Sequence, residues 1–513
     1  MAAIDYSVYF VTDSGMIPEG SSLVEQVRRA VAGGATIVQL REKDTETRDF
    51  IERARAVHAI TKAAGVPLLI NDRLDVALAI DAEGVHIGQD DIDVPTARRL
   101  LGPGKVVGLS VTYVHEAEAA YAAGVDYIGV GTVYNTATKT PKHAPIGLAG
   151  LRAILAYLAP LPRYLPAVAI GSMNPTNTRM VVHQTAVGAR RLDGVAVVSA
   201  IMASREPEAV VRDLLAQVKV PPHWAQPAPA RQASDAVLAA GALTAAVRRT
   251  TPLVHNIINR VVTNFAANAD LAVGASPIMT ENVPEFGDIS SIPSAGLLLN
   301  MGFATDDMVD MYLSAVREYN VRQRPVVYDP VGAGASALRR AAVKKLLDRG
   351  HYDVIKGNEG EIFSVAGQAS AMRGVDSTSA APLEARVAVV KALAAQEKTV
   401  VAMTGAEDVI SDGATTYVVR NGHSLLADIT GSGCSLGSIV VGYVAVAQTD
   451  ALLATLAAVL HYTIAGERAA AGAGVRGPGT FVPAFLDELY LVSKESAAGD
   501  LAWLGAARVE LVK

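Results

Sequence analysis

The sequence predicts two α/β domains in tandem: a (β/α)8 barrel, then a second α/β domain. Three observations carry this prediction. Short β-branched runs alternate with helical stretches up to about residue 218, a proline- and alanine-rich segment interrupts the pattern, and the alternation then resumes. The runs of the first part are Val8 to Thr12, Ile37 to Leu40, Leu68 to Asn71, Val85 to Ile87, Val106 to Leu109, Tyr127 to Val130, Val168 to Ile170 and Gly194 to Val198. Most are followed by a helical pattern, and eight is the strand count of a compact closed barrel. Gln39, Asn71, Ser110 and Gly171 fall at the C-terminal ends of their runs, the barrel face on which active sites are built.

Residues 220–234, beginning Val-Pro-Pro-His-Trp-Ala-Gln-Pro-Ala-Pro, carry no periodicity and read as a semi-rigid linker between domains at 1–219 and 235–513. A helical stretch from Ser234 to Arg249 then leads into strand candidates at Leu253 to Asn256, Gly296 to Asn300, Val326 to Asp329, Val354 to Lys356, Thr399 to Thr404 and Thr415 to Arg420, and Ala451 to Val492 reads as largely helical.

At 513 residues and 50% hydrophobic the chain can bury sizeable cores. A net charge of −6 gives no overall basic field to draw nucleic acid, so any phosphate chemistry falls to local loops. The single cysteine excludes an intrachain disulfide and fits a reducing compartment. The N-terminus has no basic start and no apolar core of a signal peptide, so a cytoplasmic location is expected. The most apolar stretches, 435–447 and 451–466, are short or broken by polar residues such as His461, and read as buried helices rather than membrane spans.

Gln39, Arg41 and Lys43 alternate along an extended segment, and two cations with an amide on one side suit a polyphosphate. Asp72 and Asp91, from adjacent loops, would share a hard cation such as Mg²⁺; the same aspartates would also serve as helix caps. Loops at Asn135–Lys139, Gly171–Ser172 and Val198–Ser199 complete a ring of phosphate-friendly turns, the last two in the usual phosphate position of a barrel. With QLREK at 39–43, ND at 71–72, HIGQDD at 86–91, GLS at 108–110, GTVYNTATKT at 131–140, IG at 170–171 and VVSAI at 197–201, this half resembles thiamine-phosphate synthase. The resemblance implies that a hydroxymethylpyrimidine diphosphate is joined to a thiazole phosphate with release of pyrophosphate. It implies that Gln39, Arg41, Lys43, Asn71, Ser110 and Lys139 hold the pyrimidine diphosphate. Asp72 and Asp91 would then hold Mg²⁺, and Thr136, Thr138, Gly171, Val198 and Ser199 the thiazole phosphate. Asn135 and Ser172 depart from the family's proline and glycine, which bears on the geometry of both loops.

In the second half, Asp428-Ile-Thr-Gly-Ser-Gly-Cys434 runs directly into an apolar helical pattern. Free backbone N–H groups there would surround one point, a ready anion site beside the Cys434 thiol. Asn358 and Glu361 follow a strand at the spacing of an N-x-x-E motif, in which the carboxylate acts on Mg²⁺ through water; a helix cap with a first-turn glutamate has the same spacing. Together with Asp329-Pro-Val-Gly332, Thr404-Gly405, His255-Asn-Ile-Ile-Asn-Arg-Val-Val-Thr-Asn264 and Gly274-Ala-Ser-Pro-Ile-Met279, residues 236–490 resemble hydroxyethylthiazole kinase, a ribokinase-like fold. The resemblance places Met279 and Gly431 on the substrate, Lys356 and Thr404 on ATP, Glu361 on Mg²⁺ and Cys434 beside the alcohol as base or orienting group. It also implies a homo-oligomer built on a kinase-domain trimer. The expected partners are thus small molecules and further copies of the chain, with neither nucleic acid nor membrane.

The product of the second half would be the substrate of the first, so the whole resembles a fungal-type bifunctional enzyme of thiamine synthesis. Two other readings are a different phosphate-binding barrel fused to another kinase, and a non-catalytic sensor that kept its pockets. The thiamine-type loops weigh against the first, and the retained Asp72, Asp91, Lys139, Glu361 and Cys434 against the second.

Overall fold

The computed structural model describes residues 4–136, 143–226, 228–368, 372–373, 376–377 and 381–512. By contacts the chain divides into two units, Met1–Pro222 and His223–Lys513.

In the first unit, strands β1 (Val8–Val11), β2 (Ile37–Leu40), β3 (Leu68–Asn71), β4 (Gly84–Ile87), β5 (Val106–Val111), β6 (Tyr127–Val130), β7 (Ala167–Ile170) and β8 (Gly194–Val197) close into a parallel barrel in sequence order. β8 returns to β1 with Val195 opposite Val8. Each expected run forms its strand to within two residues. Side chains alternate across the barrel wall. Val8, Phe10, Val38 and Leu40 point out into a core shared with the helices, whereas Tyr9, Ile37, Leu69, Tyr127, Val168 and Ala196 fill the barrel itself. Tyr127 fits because Gly108 on β5 offers no side chain; a Cβ there would stand 2.1 Å from the tyrosine ring. The short helix Ser199–Met202 follows β8 directly.

The second unit is built on a nine-stranded sheet in the order β10-β9-β11-β12-β13-β16-β17-β18-β19. Its strands are β9 (Leu253–Ile257), β10 (Ser276–Ile278), β11 (Ala295–Asn300), β12 (Val326–Asp329), β13 (Val354–Asn358), β16 (Val400–Thr404), β17 (Asp408–Ser411), β18 (Thr416–Val419) and β19 (Val509–Val512), with β14 (Met372–Arg373) and β15 (Asp376–Ser377) forming a separate ribbon. Pairing is parallel from β10 to β16 and antiparallel from there to β19. One face packs on the helices Ala233–Thr250, Thr263–Val273, Ser432–Val446, Ala451–Ala470 and Pro478–Ala497, the other on Asp306–Val321, Ala337–Arg349 and Leu383–Glu397. Burial on both faces explains why its central strands read as unbroken apolar runs.

Three strands of the sheet carried no clear sequence signal, nor did the two ribbon strands β14 and β15. β10 is a sheet-edge strand that contains Pro277, a residue such edges tolerate. β17 is four residues in a tight meander, and β19 is a short strand that closes the opposite edge after a long helical stretch. From His223 on, the segment read as a linker packs within the second unit: the Trp224 ring stacks on His351 at 3.8 Å, and His223 Nε2 lies 2.9 Å from Asp353 Oδ1. Residues 448–470 are the one stretch among the described residues long and apolar enough to cross a membrane, and 78% of that apolar window is buried. It is the expected core helix.

Gly108→Ala is expected to destabilise the first unit by about 1–3 kcal/mol, the range of core overpacking, because the fully buried Tyr127 ring has nowhere to move. The denaturant midpoint reads this; an unchanged midpoint would contradict the packing described.

Candidate active sites

At the carboxyl end of the barrel, Gln39 is buried one residue before the end of β2; the chain leaves the strand through Arg41, and Lys43 stands in a turn rather than in the extended segment expected from the sequence. Arg41 Nη1 lies 3.4 Å from Asp13 Oδ2, and Lys43 Nζ lies 3.2 Å from Asp72 Oδ2. Asn71 closes β3, and Asp72 follows it with φ of 59°, a left-handed turn that swings the carboxylate toward Lys43. Burial and the neighbouring Asp91 raise the Asp72 carboxyl above the usual carboxylate range, with Lys43 pulling the other way. Asp91 Oδ2 also accepts from Gly88 N at 2.7 Å. Two carboxylates and one ammonium thus converge where the sequence placed a divalent cation. The oxygen donor set fits Mg²⁺, which keeps water in its remaining positions.

The loop after β7 requires its glycine: Gly171 has φ of 113°, and a Cβ would meet Thr132 Cγ2 at 2.5 Å. Ser172 stands in the left-handed region at φ of 56°, where the related family's glycine would sit without strain. Its hydroxyl donates to the Asn135 carbonyl, so the two departures from the family pattern meet in one hydrogen bond. Asn174 Nδ2 and Asn177 Nδ2 both donate to the Ser172 carbonyl, at 3.0 and 2.9 Å. Val198 and Ser199 begin the short helix after β8, with Ser199 exposed, and Thr136 is half-buried. Thr138 and Lys139 lie outside the described residues.

In the second unit, Gly431 with φ of 87° caps the helix Ser432–Val446, and Cys434 lies in the first turn rather than ahead of it. The first turn of a helix leaves backbone N–H groups unpaired within it. A Cβ at Gly431 would meet Val262 at 2.7 Å, so both conformation and packing demand glycine. Behind this turn lies a buried polar cluster. Lys356 Nζ sits 3.1 Å from Asp329 Oδ2 and donates to the Gly433 carbonyl at 2.8 Å. Asn300 Nδ2 donates to Asp329 Oδ2 at 3.0 Å; Asn259 Nδ2 donates to Asn300 Oδ1 at 2.9 Å and approaches Cys434 Sγ at 3.5 Å. Burial tends to lower the Lys356 ammonium, but Asp329, Cys434 and Glu361 together hold it above its ordinary value. Burial and Asp329 push the Cys434 thiol up to about 11, against the pull of Lys356.

Asn358 and Glu361 form a reciprocal helix cap: Glu361 N donates to Asn358 Oδ1 at 3.0 Å and Asn358 N to Glu361 Oε2 at 2.8 Å. Gly332 N, from the Asp329–Gly332 turn, donates to Glu361 Oε1 at 2.9 Å. Burial and Asp329 raise Glu361 to about 7. Each of its oxygens keeps a second lone pair, which suits contact with a metal through water. Thr404 ends β16, with Oγ1 donating to the Gly357 carbonyl at 3.3 Å, and Met279 is half-buried just past β10.

A family model described as thiamine monophosphate synthase matches residues 8–201, and one described as the hydroxyethylthiazole kinase family matches residues 244–495. Over 516 residues, 99% of each chain, the sequence is 43% identical to a protein of Schizosaccharomyces pombe. It is also 38% identical over 524 residues, 96% of each chain, to the thiamine biosynthetic bifunctional enzyme of Saccharomyces cerevisiae. The chain belongs to this family of thiamine biosynthetic bifunctional enzymes.

Several residues of the two sites in this family member were given no role by the sequence. Asn259 and Asp329 lie within stretches that carry the kinase resemblance, and Asn300 ends β11 beside Asp329 at the end of β12. A polar residue closing an apolar run was the available signal. In the barrel, Tyr9, His86 and Tyr127 join Gln39 to Ser110 through hydrogen bonds inside the strands; His86 opens the quoted HIGQDD motif without being given a role, and inward alternation was the only signal at the two tyrosines.

Because Cys434 is the only cysteine, its reactivity reads directly. A thiol pushed to about 11 stays protonated at neutral pH, and the thiolate is the reactive form. At pH 8 the native protein is expected to react with iodoacetamide roughly a hundredfold more slowly than the urea-unfolded chain. Equal rates would contradict a raised thiol.

Proposed function

We propose that this chain catalyses two consecutive steps of thiamine synthesis. The second unit phosphorylates 4-methyl-5-(2-hydroxyethyl)thiazole with ATP, and the barrel joins the resulting thiazole phosphate to 4-amino-2-methyl-5-hydroxymethylpyrimidine diphosphate, giving thiamine phosphate and pyrophosphate. The observation that carries this reading is that one chain, related end to end to a bifunctional enzyme, holds both constellations at the carboxyl ends of its parallel strands.

In the barrel, Gln39, Asn71 and Ser110 orient the pyrimidine ring, while Arg41, Lys43 and Lys139 meet the diphosphate. Asp72 and Asp91 would hold Mg²⁺, which when bound offsets charge on the departing pyrophosphate. The thiazole nitrogen forms its bond to the pyrimidine methylene carbon as the bond from that carbon to the diphosphate oxygen breaks, and the electron pair leaves with pyrophosphate. The electron-rich aminopyrimidine tolerates positive charge on that methylene, so no protein nucleophile is needed. Thr136, Thr138, Gly171, Val198 and Ser199 hold the thiazole phosphate.

In the kinase unit, the Gly431 turn and the open N–H groups of the following helix receive the transferred phosphoryl group. Lys356 lends positive charge from behind the turn, Thr404 contacts ATP, and Glu361 would hold Mg²⁺ through water. Met279 and Gly431 fix the thiazole. Cys434, protonated at neutral pH, orients the substrate alcohol rather than acting as its base, a division of labour that suits the loose transition state of phosphoryl transfer, which asks little of a base. On the family resemblance, the chain assembles as a homo-oligomer through its kinase units and works in the cytoplasm, where its lone thiol stays reduced.

Supplying thiazole phosphate and the pyrimidine diphosphate with Mg²⁺ but without ATP tests the barrel alone. Wild-type protein is expected to release pyrophosphate, and Asp91→Asn to need about tenfold more Mg²⁺ for half-maximal rate, as the loss of one carboxylate ligand implies, while phosphorylation of the alcohol is unaffected. An unshifted Mg²⁺ requirement would remove Asp91 from the metal site.

A further inference from the structure

The interior of the barrel holds an unbroken hydrogen-bond chain running from Gln39 on β2 to Ser110 on β5. Gln39 Nε2 donates to the Tyr9 hydroxyl at 2.7 Å, the Tyr9 and Tyr127 hydroxyls lie 2.6 Å apart, Tyr127 is 2.7 Å from His86 Nδ1, and His86 Nε2 is 2.9 Å from Ser110 Oγ. Gln39, Tyr9, Tyr127 and His86 are all buried, at 4%, 1%, 0% and 9% exposure, so their protons have few destinations. Two glycines make the room: a Cβ at Gly108 would overlap the Tyr127 ring, and one at Gly129 would stand 3.2 Å from His86 Cε1.

Proton counting gives this chain a direction. An amide nitrogen can only donate, and a phenol has one proton to give. With Gln39 Nε2 facing the Tyr9 hydroxyl, each phenol proton finds an acceptor within the chain when Tyr9 donates to Tyr127 and Tyr127 donates to His86 Nδ1. A neutral imidazole that accepts at Nδ1 carries its proton on Nε2, and His86 donates to Ser110 Oγ. Ser110 thus has its own O–H left to give, and Gln39 keeps Oε1 as an acceptor. The site ends of the chain have opposite polarity: an acceptor at Gln39 and a donor at Ser110. A ligand with the opposite pattern would have to reverse every bond between them.

We infer that the Gln39–Tyr9–Tyr127–His86–Ser110 chain is the specificity device of the barrel, selecting a pyrimidine that presents an exocyclic amino donor to Gln39 Oε1 over one that presents a carbonyl at the same position. Tyr9, Tyr127 and His86 act as positioning residues, because each works through Gln39 or Ser110. The inference rests on the reading of Gln39 and Ser110 as pyrimidine-binding residues.

The test compares kcat/KM for the 4-amino pyrimidine diphosphate and its 4-oxo analogue, with thiazole phosphate supplied, in the wild-type protein and in Tyr127→Phe. Removing one hydroxyl frees the Gln39 amide to turn while keeping the ring that fills the barrel. The amino-over-oxo preference is expected to fall about tenfold, the worth of one neutral hydrogen bond. A loss of packing alone would lower both substrates equally and leave the ratio intact, and an unchanged ratio in a folded variant overturns the inference. Tyr9→Phe cuts the chain one link nearer Gln39 and carries the same expectation should Tyr127→Phe fail to fold. Gln39→Ala separates the two readings: an unaltered KM for the pyrimidine diphosphate would refute the placement of Gln39 in the site, whereas a raised KM with an unchanged ratio in the tyrosine variants would refute the chain alone.

Discussion

A parallel strand buried on both faces favours a charged side chain at the strand end, where water or a ligand can meet it, and tolerates one within the strand only against an opposite charge, as Lys356 in β13 stands against Asp329. Both units obey this constraint. Gln39, Asn71 and Ser110 in the barrel, and Asn300, Asp329, Asn358 and Thr404 in the second unit, stand at or beside the carboxyl ends of their strands. The interiors behind them are largely apolar, with most buried polar groups hydrogen-bonded and a few, such as both ring nitrogens of His351, without a hydrogen-bond partner among the described residues. The sites lie where the folds permit charge.

The two units solve the phosphate problem differently. The barrel gathers side-chain charge in its loops, Arg41 against Asp13 and Lys43 against Asp72, which in the proposed reaction would meet the diphosphate. The kinase unit offers backbone instead, the Gly431 turn and the first turn of an apolar helix, with Lys356 placed behind it against Asp329 rather than in the open, and the proposed reaction would use that turn for the phosphoryl group. A lysine buried to 3% exposure keeps its charge because a carboxylate and a carbonyl share it. The same low-polarity surroundings hold the Cys434 thiol protonated, which is why the proposed role for that residue is to orient the substrate rather than to act as a base.

Much of this was legible in the chain itself. The barrel strands could be read because β-branched runs between helical stretches are a strong local signal, and the loop residues because charged and glycine-rich turns stand out after such runs. What escaped was encoded across distance. Tyr9, His86 and Tyr127 sit on three strands widely separated in sequence, and their connection exists only once the register of the barrel brings Gly108 against Tyr127 and Gly129 against His86. Asn259 gains its meaning only when it meets Asn300 and Cys434. The spacing of Asn358 and Glu361 allowed either a helix cap or a metal-associated pair, and the geometry has the cap in full, with lone pairs to spare for the second role. β10 and β19 were missed because edge strands need little β-branched or apolar sequence to pair on one side.

In the proposed reaction sequence the kinase product is the barrel's substrate within one chain. The direct test incubates the purified protein with Mg-ATP, hydroxyethylthiazole and the pyrimidine diphosphate and follows thiamine phosphate as thiochrome fluorescence. Product is expected only when ATP is present, and thiazole phosphate supplied in place of the alcohol should remove the need for ATP. No product from thiazole phosphate and the pyrimidine diphosphate, or product from the alcohol without ATP, would contradict it.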